Sequence, residues 1–429
     1  MQKYSIMDEK IETLGRYNIW NGNNPDLGFL RTGYTRHLAS VTGNRLIKVL
    51  VGQRRAGKSY LLRQVAMDLV GQGVSRRNIF MINKEMEDFS FVKTDKDLNT
   101  LFHLYESEIR PEGKVYIFID EVQNIEGWER FVNSCSQDYM HEYELFITGS
   151  NSRMLSGELA TLLSGRYIQI EVCPFSYEEF LGYFNKERGR DSYSEYLHTS
   201  GMPELYRLNS DEARRYYVSS LKDTIMLRDI VSRNNIRDVQ MLEDLFVYVV
   251  NNASNLMSIG NIVKYMKSQG RKVSYDTLSL YLQFMEQAYL VFHVNRYNIR
   301  GKSVIGGTAK FYANDLAFHN YLYRGFGYGD GYLLENAVYM EMRRQGFDLY
   351  VGNIDDREVD FVGIRGDRRV YIQVTYSLAG EETARREYSS LEIIGDNFEK
   401  YVVTMDDYTQ PSNNGIRNIQ AWRLDEVLH

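Results

Sequence analysis

Eight consecutive residues, Gly52-Gln53-Arg54-Arg55-Ala56-Gly57-Lys58-Ser59, fit the pattern G-x-x-x-x-G-K-[ST] at every fixed position. Backbone N–H groups of such a loop converge on phosphate oxygens, and its glycines permit close approach and unusual dihedrals. Lys58 supplies a point charge for the β- and γ-phosphates, and the Ser59 hydroxyl is a magnesium ligand. With Tyr60 next in line, Gly52, Gln53, Arg54, Arg55, Ala56, Gly57, Lys58, Ser59 and Tyr60 form the expected nucleotide contact, ATP with Mg2+. Arg54 and Arg55 read as solvated loop charges that assist phosphate binding or face a neighbouring domain.

A second group lies at Asp120-Glu121, after the apolar run Val115-Tyr116-Ile117-Phe118-Ile119. Asp120 is placed to hold the metal through water, and Glu121 to polarise the water that attacks the phosphate; the plainer reading is a solvated strand end capping the next helix. Thr148, Ser150 and Asn151 follow another apolar run, where a polar side chain contacts the γ-phosphate or orients water. Ser150 is the first choice and Asn151 the second, against a simple Asx or Ser turn. Arg166 is expected either to stabilise charge on the phosphoryl oxygens as a finger or to be an exposed charge ending a helix.

These residues need elements to hold them. Leu46–Val51 reads as a short apolar strand before the loop, and Tyr60–Val70 as a helix after it, which is the context the motif requires. Asn78–Asn83, Val115–Ile119, Glu144–Thr148 and Tyr167–Val172 read as further strands. Apolar strands separated by helix-length segments predict a parallel sheet covered on both faces. After Pro174 the pattern turns helical: Tyr177–Lys186, Glu195–Leu208 interrupted by Gly201 and Pro203, Asp211–Ile230 and Val239–Asn251. Helix, turn, helix (274–287) and the strand Tyr289–Val294 suit a winged helix, with a hairpin around Asn298–Gly307 as the wing. From Leu333 onward the helix Glu335–Gly346, short strands and a further helix form another α/β unit. The expected division is residues 1–175, 176–332 and 333–429, with packed junctions, since there are only five prolines and no low-complexity linker.

Composition narrows the class. Hydrophobic residues make up 43% and charged residues 25%, ordinary globular usage that excludes wholesale disorder. Two cysteines, Cys135 and Cys173, and no apolar leader point to a reducing, cytoplasmic setting; no apolar run approaches membrane-spanning length. The seven histidines never cluster with the cysteines at ligand spacing, so zinc has no support. The surplus of 34 Tyr over 20 Phe reads as half-buried packing with hydroxyls reaching solvent.

The set Gly52–Ser59, Ile119-Asp120-Glu121-Val122-Gln123, Ile147-Thr148-Gly149-Ser150-Asn151 and Leu163-Ser164-Gly165-Arg166 resembles prokaryotic AAA-superfamily ATPases in which a P-loop domain precedes a winged-helix segment and a C-terminal domain of unknown function. Pro174-Phe175-Ser176-Tyr177-Glu178-Glu179-Phe180 looks like the entry to that family's helical lid, and Gly201-Met202-Pro203-Glu204 like its glycine-proline element. The resemblance implies ATP and magnesium binding, hydrolysis by the Asp-Glu pair, Ser150 as the sensor, Arg166 as the finger, and homo-oligomeric assembly. The second-sensor arginine that many such proteins carry after the Gly201 element has no clear counterpart, which sets this chain apart from a standard AAA ring.

The terminal segment, with Glu335, Glu358-Val359-Asp360 and Tyr371-Ile372-Gln373-Val374-Thr375, looks like the core of restriction-endonuclease-like nucleases. Gln373 stands for a carboxylate there and Thr375 for the lysine, which removes one anionic ligand and the only cation of the motif. The expectation is an inactive nuclease fold. Residues 335–429 hold 11 basic and 18 acidic residues, a net of −7, a poor surface for a phosphate backbone. Residues 260–310 hold eight basic (Lys264, Lys267, Arg271, Lys272, Arg296, Arg300, Lys302, Lys310) against Asp276 and Glu286. The leading expectation is thus a magnesium-dependent ATPase whose nucleotide state moves the later domains, acting on a protein client. An ATP-regulated DNA-binding protein using residues 260–310 is the alternative, and an active nuclease a distant third.

Overall fold

Strand β1 (Ile47–Val51) is buried along its whole length, so its one charged residue needs an internal partner. Lys48 finds it in Glu144 on β4 (Tyr143–Gly149), which also pairs with Lys114. The remaining residues of the two strands are mostly apolar, and they align in parallel from Lys48 opposite Phe146 to Val51 opposite Gly149. In the computed structural model, which describes residues 2–150, 161, 163–323 and 329–429, the chain divides into two units, Met1–Val172 and Cys173–His429.

The first unit is built on a five-stranded, wholly parallel sheet of order β2-β3-β4-β1-β5, with β2 at Ile79–Asn83, β3 at Val115–Asp120 and β5 at Tyr167–Glu171. Helices α1 (Gln2–Tyr17), α2 (Thr32–Ser40), α3 (Lys58–Gly71), α4 (Asp95–Ile109) and α5 (Trp128–Gln137) are the longer helices of this unit among the described residues. The α3 side buries Leu61, Leu62, Val65, Ala66 and Leu69 against Leu50, Phe118, Phe146 and Ile170. Each expected strand is present within a residue or two of its predicted bounds. The parallel order follows because each strand end must be carried back across the sheet by a helix.

The second unit begins with helices: Tyr177–Phe184, capped by Ser176 and Glu179 in a reciprocal box, then Arg190–Thr199 and Asp211–Thr224. Eight aromatic rings, from Phe175 to Tyr206, pack together there; the tyrosines pack as expected, but the Tyr196 and Tyr206 hydroxyls donate to the Phe175 and Ser200 carbonyls inside the protein, where the expectation had hydroxyls reaching solvent. The helical middle buries Leu242, Leu245, Phe246, Ile262, Leu278 and Met285 in one core. The expected helix, turn, helix is present as Ile259–Ser268 and Tyr275–Gln287.

The hairpin expected as a wing has a different setting. Strand β6 (Val291–Asn298) pairs with β7 (Ser303–Ala313) on one side and with β8 (Asp348–Ile354) on the other. It is an inner strand of a seven-stranded mixed sheet, β12-β11-β10-β9-β8-β6-β7, whose other members are β9 (Arg357–Arg365), β10 (Arg368–Val374), β11 (Glu399–Thr404) and β12 (Ile416–Gln420). Val291, Phe292, Val294 and Tyr297 are buried, which gives β6 enough apolar surface to enter a sheet core. Strands from both sides of residue 332 therefore share one sheet.

Candidate functional site

The Gly52–Ser59 loop leaves the carboxyl end of β1 and enters α3. Two glycines make the path. Gly52 has φ +144°, and a Cβ there would lie 2.2 Å from the Val172 carbonyl oxygen; Gly57 has φ +95° at the N-terminus of α3. Lys58 is 4% exposed and folds back across the loop, donating to the Gly52 and Gln53 carbonyls at 2.9 Å each. Arg54 pairs with Glu85, Arg55 is exposed in a left-handed conformation, and Tyr60 lies on the first turn of α3.

Asp120 ends β3 and Glu121 follows it at the same edge of the sheet, both buried. The Ser59 hydroxyl is hydrogen-bonded to Asp120. Thr148 bridges the two: its hydroxyl donates to Asp120 at 2.5 Å and accepts the Glu121 N–H at 2.8 Å. Glu121 Oε1 lies 3.9 Å from Lys58 Nζ, and Gln123 and Ser150 hydrogen-bond to its carboxylate. Burial drives the Asp120 pKa upward, beyond what Ser59, Thr148 and Lys58 restore. Glu121 is subject to the same burial, but Lys58, Gln123, Arg54 and Ser150 outweigh it and hold its carboxyl below the usual range. Neighbouring carboxylates with opposed shifts are suited to different tasks.

Loop, lysine, serine and acid pair are thus brought together, and Ser150 joins them, buried and 3.4 Å from Gln123 Nε2. Asn151 lies outside the described residues. Arg166 does not join the site. Its carbonyl accepts the Ile47 N–H at 3.0 Å, at the start of β1, and its side chain is exposed. The loop follows the other end of that strand, about 16 Å away at ~3.3 Å per residue, so this guanidinium does not serve its own phosphate loop. Sequence reasoning missed Gln123, whose only signal was its place two residues after Glu121, and the buried Arg31, which hydrogen-bonds the loop at Ala56.

Oxygen donors from Ser59 and Asp120 beside a phosphate loop suit a magnesium ion that takes its remaining ligands from phosphate and water. Among the described residues no group of three or more His, Cys, Asp and Glu could hold a metal by itself.

In the second unit, Glu335 and Asp360 share one basic partner, from outside the run of residues quoted for the terminal segment. Lys310, counted above among the basic residues of 260–310, is 3% exposed, with its ammonium 2.9 Å from Glu335, 2.8 Å from Glu358 and 3.2 Å from Asp360. Gln373 accepts the Asp360 N–H at 3.3 Å, and the Thr375 N–H donates to the Val403 carbonyl. Of the other basic residues between 260 and 310, Arg271 pairs with Asp244 and Arg300 with Asp355. The surface left for a nucleic acid is smaller than the composition implied.

A family model described as an AAA domain matches residues 44–181, and one described as a domain of unknown function matches 190–327, in the middle of the chain. An uncharacterized protein of Haemophilus influenzae is 34% identical over 402 residues, covering 92% of this chain and 98% of that protein. An uncharacterized protein of Methanocaldococcus jannaschii is 29% identical over 368 residues, 81% of this chain and 78% of that protein. Among solved structures, a Walker-type ATPase of Pyrococcus abyssi is similar with a TM-score of 0.42 at 15% identity, covering 68% of this chain and 94% of that one. No helix among the described residues is long and apolar enough to cross a membrane.

Proposed function

This chain belongs to one family with the Haemophilus influenzae protein and carries an AAA-type P-loop domain, and from that premise we propose that it binds and hydrolyses ATP with magnesium at the Gly52–Ser59 loop. The observation that carries the reading is the meeting of Lys58, Ser59, Asp120 and Glu121 at one edge of a parallel sheet. Loop N–H groups and the α3 N-terminus receive the phosphates. Lys58 exchanges its carbonyl partners for β- and γ-phosphate oxygens. Ser59, and Asp120 through water, would hold magnesium, which when bound would offset charge on the phosphate oxygens.

Glu121 keeps its carboxylate ionised through Lys58 and accepts a proton from the attacking water. Gln123 and Ser150 orient that carboxylate, and Ser150 reports the γ-phosphate. Arg166, exposed at the opposite edge, acts only toward a neighbouring copy in an assembly. Nucleotide state shifts the contacts of the lid and, through them, the later segments. The terminal segment is nuclease-like without nuclease activity, because Gln373 offers a neutral carbonyl where a carboxylate would hold metal; Lys310 restores only the cation.

Calorimetric titration of ATP with magnesium into wild type and Lys58→Ala tests the site. The lost charge-assisted contacts are expected to weaken binding by at least about tenfold. Equal affinities would contradict the proposal.

A further inference from the structure

Arg31, the residue before α2, is among the largest fully buried side chains of the protein, at 2% exposure. A guanidinium is costly to take out of water, so a place that holds one is built for it. Its Nη1 donates to the Ala56 carbonyl inside the phosphate loop at 2.8 Å, and its Cζ lies 4.4 Å from the Tyr34 ring centre. The Arg31 backbone is fixed as well. Gln64 on α3 accepts the Arg31 N–H at 3.1 Å and donates to the Leu27 and Phe29 carbonyls at 2.7 and 2.8 Å. One buried glutamine therefore fastens the chain before α2 to the helix that the loop opens.

The consequence lies in peptide geometry. A trans peptide points its C=O and its N–H in opposite directions. With the Ala56 carbonyl held by Arg31, the N–H of Gly57 in the same peptide faces away from Arg31. Gly57 sits in the left-handed region and, lacking a Cβ, resists reversal of that peptide very little on its own. The guanidinium also adds fixed positive charge behind the loop.

We propose that Arg31 is a positioning residue of the phosphate loop: by pinning the Ala56 carbonyl it presents the Gly57 N–H to the phosphates and ties the segment Asp26–Arg31 to nucleotide occupancy. This rests on the nucleotide reading above. Arg31 does not touch the reacting atoms, so the effect falls on affinity more than on the chemical step.

The test compares full-length wild type, Arg31→Met and Arg31→Lys by calorimetric binding of ATP with magnesium, steady-state ATP turnover, and melting without nucleotide. Arg31→Met is expected to raise Kd and KM by roughly tenfold, the scale of a hydrogen bond to a charged group, while kcat changes less than about threefold. Arg31→Lys, which keeps charge and donor but loses the planar fork, is expected in between. Wild-type affinity in both variants overturns the proposal. So does a loss in Arg31→Met matched by a fall in nucleotide-free stability with no recovery in Arg31→Lys, the mark of a merely structural residue. If Arg31→Met does not fold, unchanged Kd in a stable Arg31→Lys overturns it alone. Absence of ATP binding by wild type brings down the nucleotide reading, and this inference with it.

Discussion

Lys310 shows how far a residue's role depends on where the fold carries it. By sequence it belongs to a basic run; in space its ammonium lies among Glu335, Glu358 and Asp360. Those carboxylates raise its pKa well above the ordinary lysine value despite burial, and burial leaves Glu335 at about 7. Removing the cation leaves buried carboxylates uncompensated, so Lys310→Met is expected to destabilise the protein by about 3–5 kcal/mol at neutral pH. The deficit should shrink as pH falls through about 7 and Glu335 protonates. Urea unfolding of both proteins at pH 7.5 and 5.0 measures it, and an equal deficit at both pH values would speak against the charge cluster. At this scale the Gly52–Ser59 loop and Asp120-Glu121 were legible because each is contiguous in sequence and its chemistry is local. Arg31 and Lys310 were not, since their partners are brought to them only by folding; Gln123 sits two residues from Glu121 in the chain, and only its contact with Ser150 comes from the fold.

Among elements, the parallel strands were readable because continuous apolar runs leave few alternatives to a sheet covered on both faces. The β6–β7 hairpin was not, because alternation within a hairpin says nothing about which strand pairs beyond it. The same holds for the link between the end of β7 and the Gly201 turn. Asp315 accepts the N–H groups of Gly201 at 2.9 Å and Ala317 at 2.7 Å, and burial lifts its pKa to about 6. For an acid raised in the folded state, the native protein holds the extra proton. Its contribution is most favourable below the unfolded value near 3.8 and diminishes as pH rises through about 6. The stability advantage of wild type over Asp315→Asn should therefore decline between pH 4 and 6.5, by on the order of 2 kcal/mol. Denaturant midpoints across that range follow it; a flat or rising difference would refute the assignment.

For the whole molecule, the net charge of −6 conceals a terminal segment at −7 and residues 1–334 at +1. The structure refines that division, since Lys310 is spent inside the protein and two arginines are paired at its surface. In the first unit a parallel sheet brings the Gly52–Ser59 loop, Asp120 and Glu121 to one edge. The most direct measurement of that claim is ATP turnover with magnesium by wild type and Glu121→Gln, alongside ATP binding by both. Glu121→Gln should bind ATP within a fewfold of wild type, yet lose turnover by roughly 10²-fold or more, as expected when a general base is removed. Equal turnover in the two proteins would contradict the account.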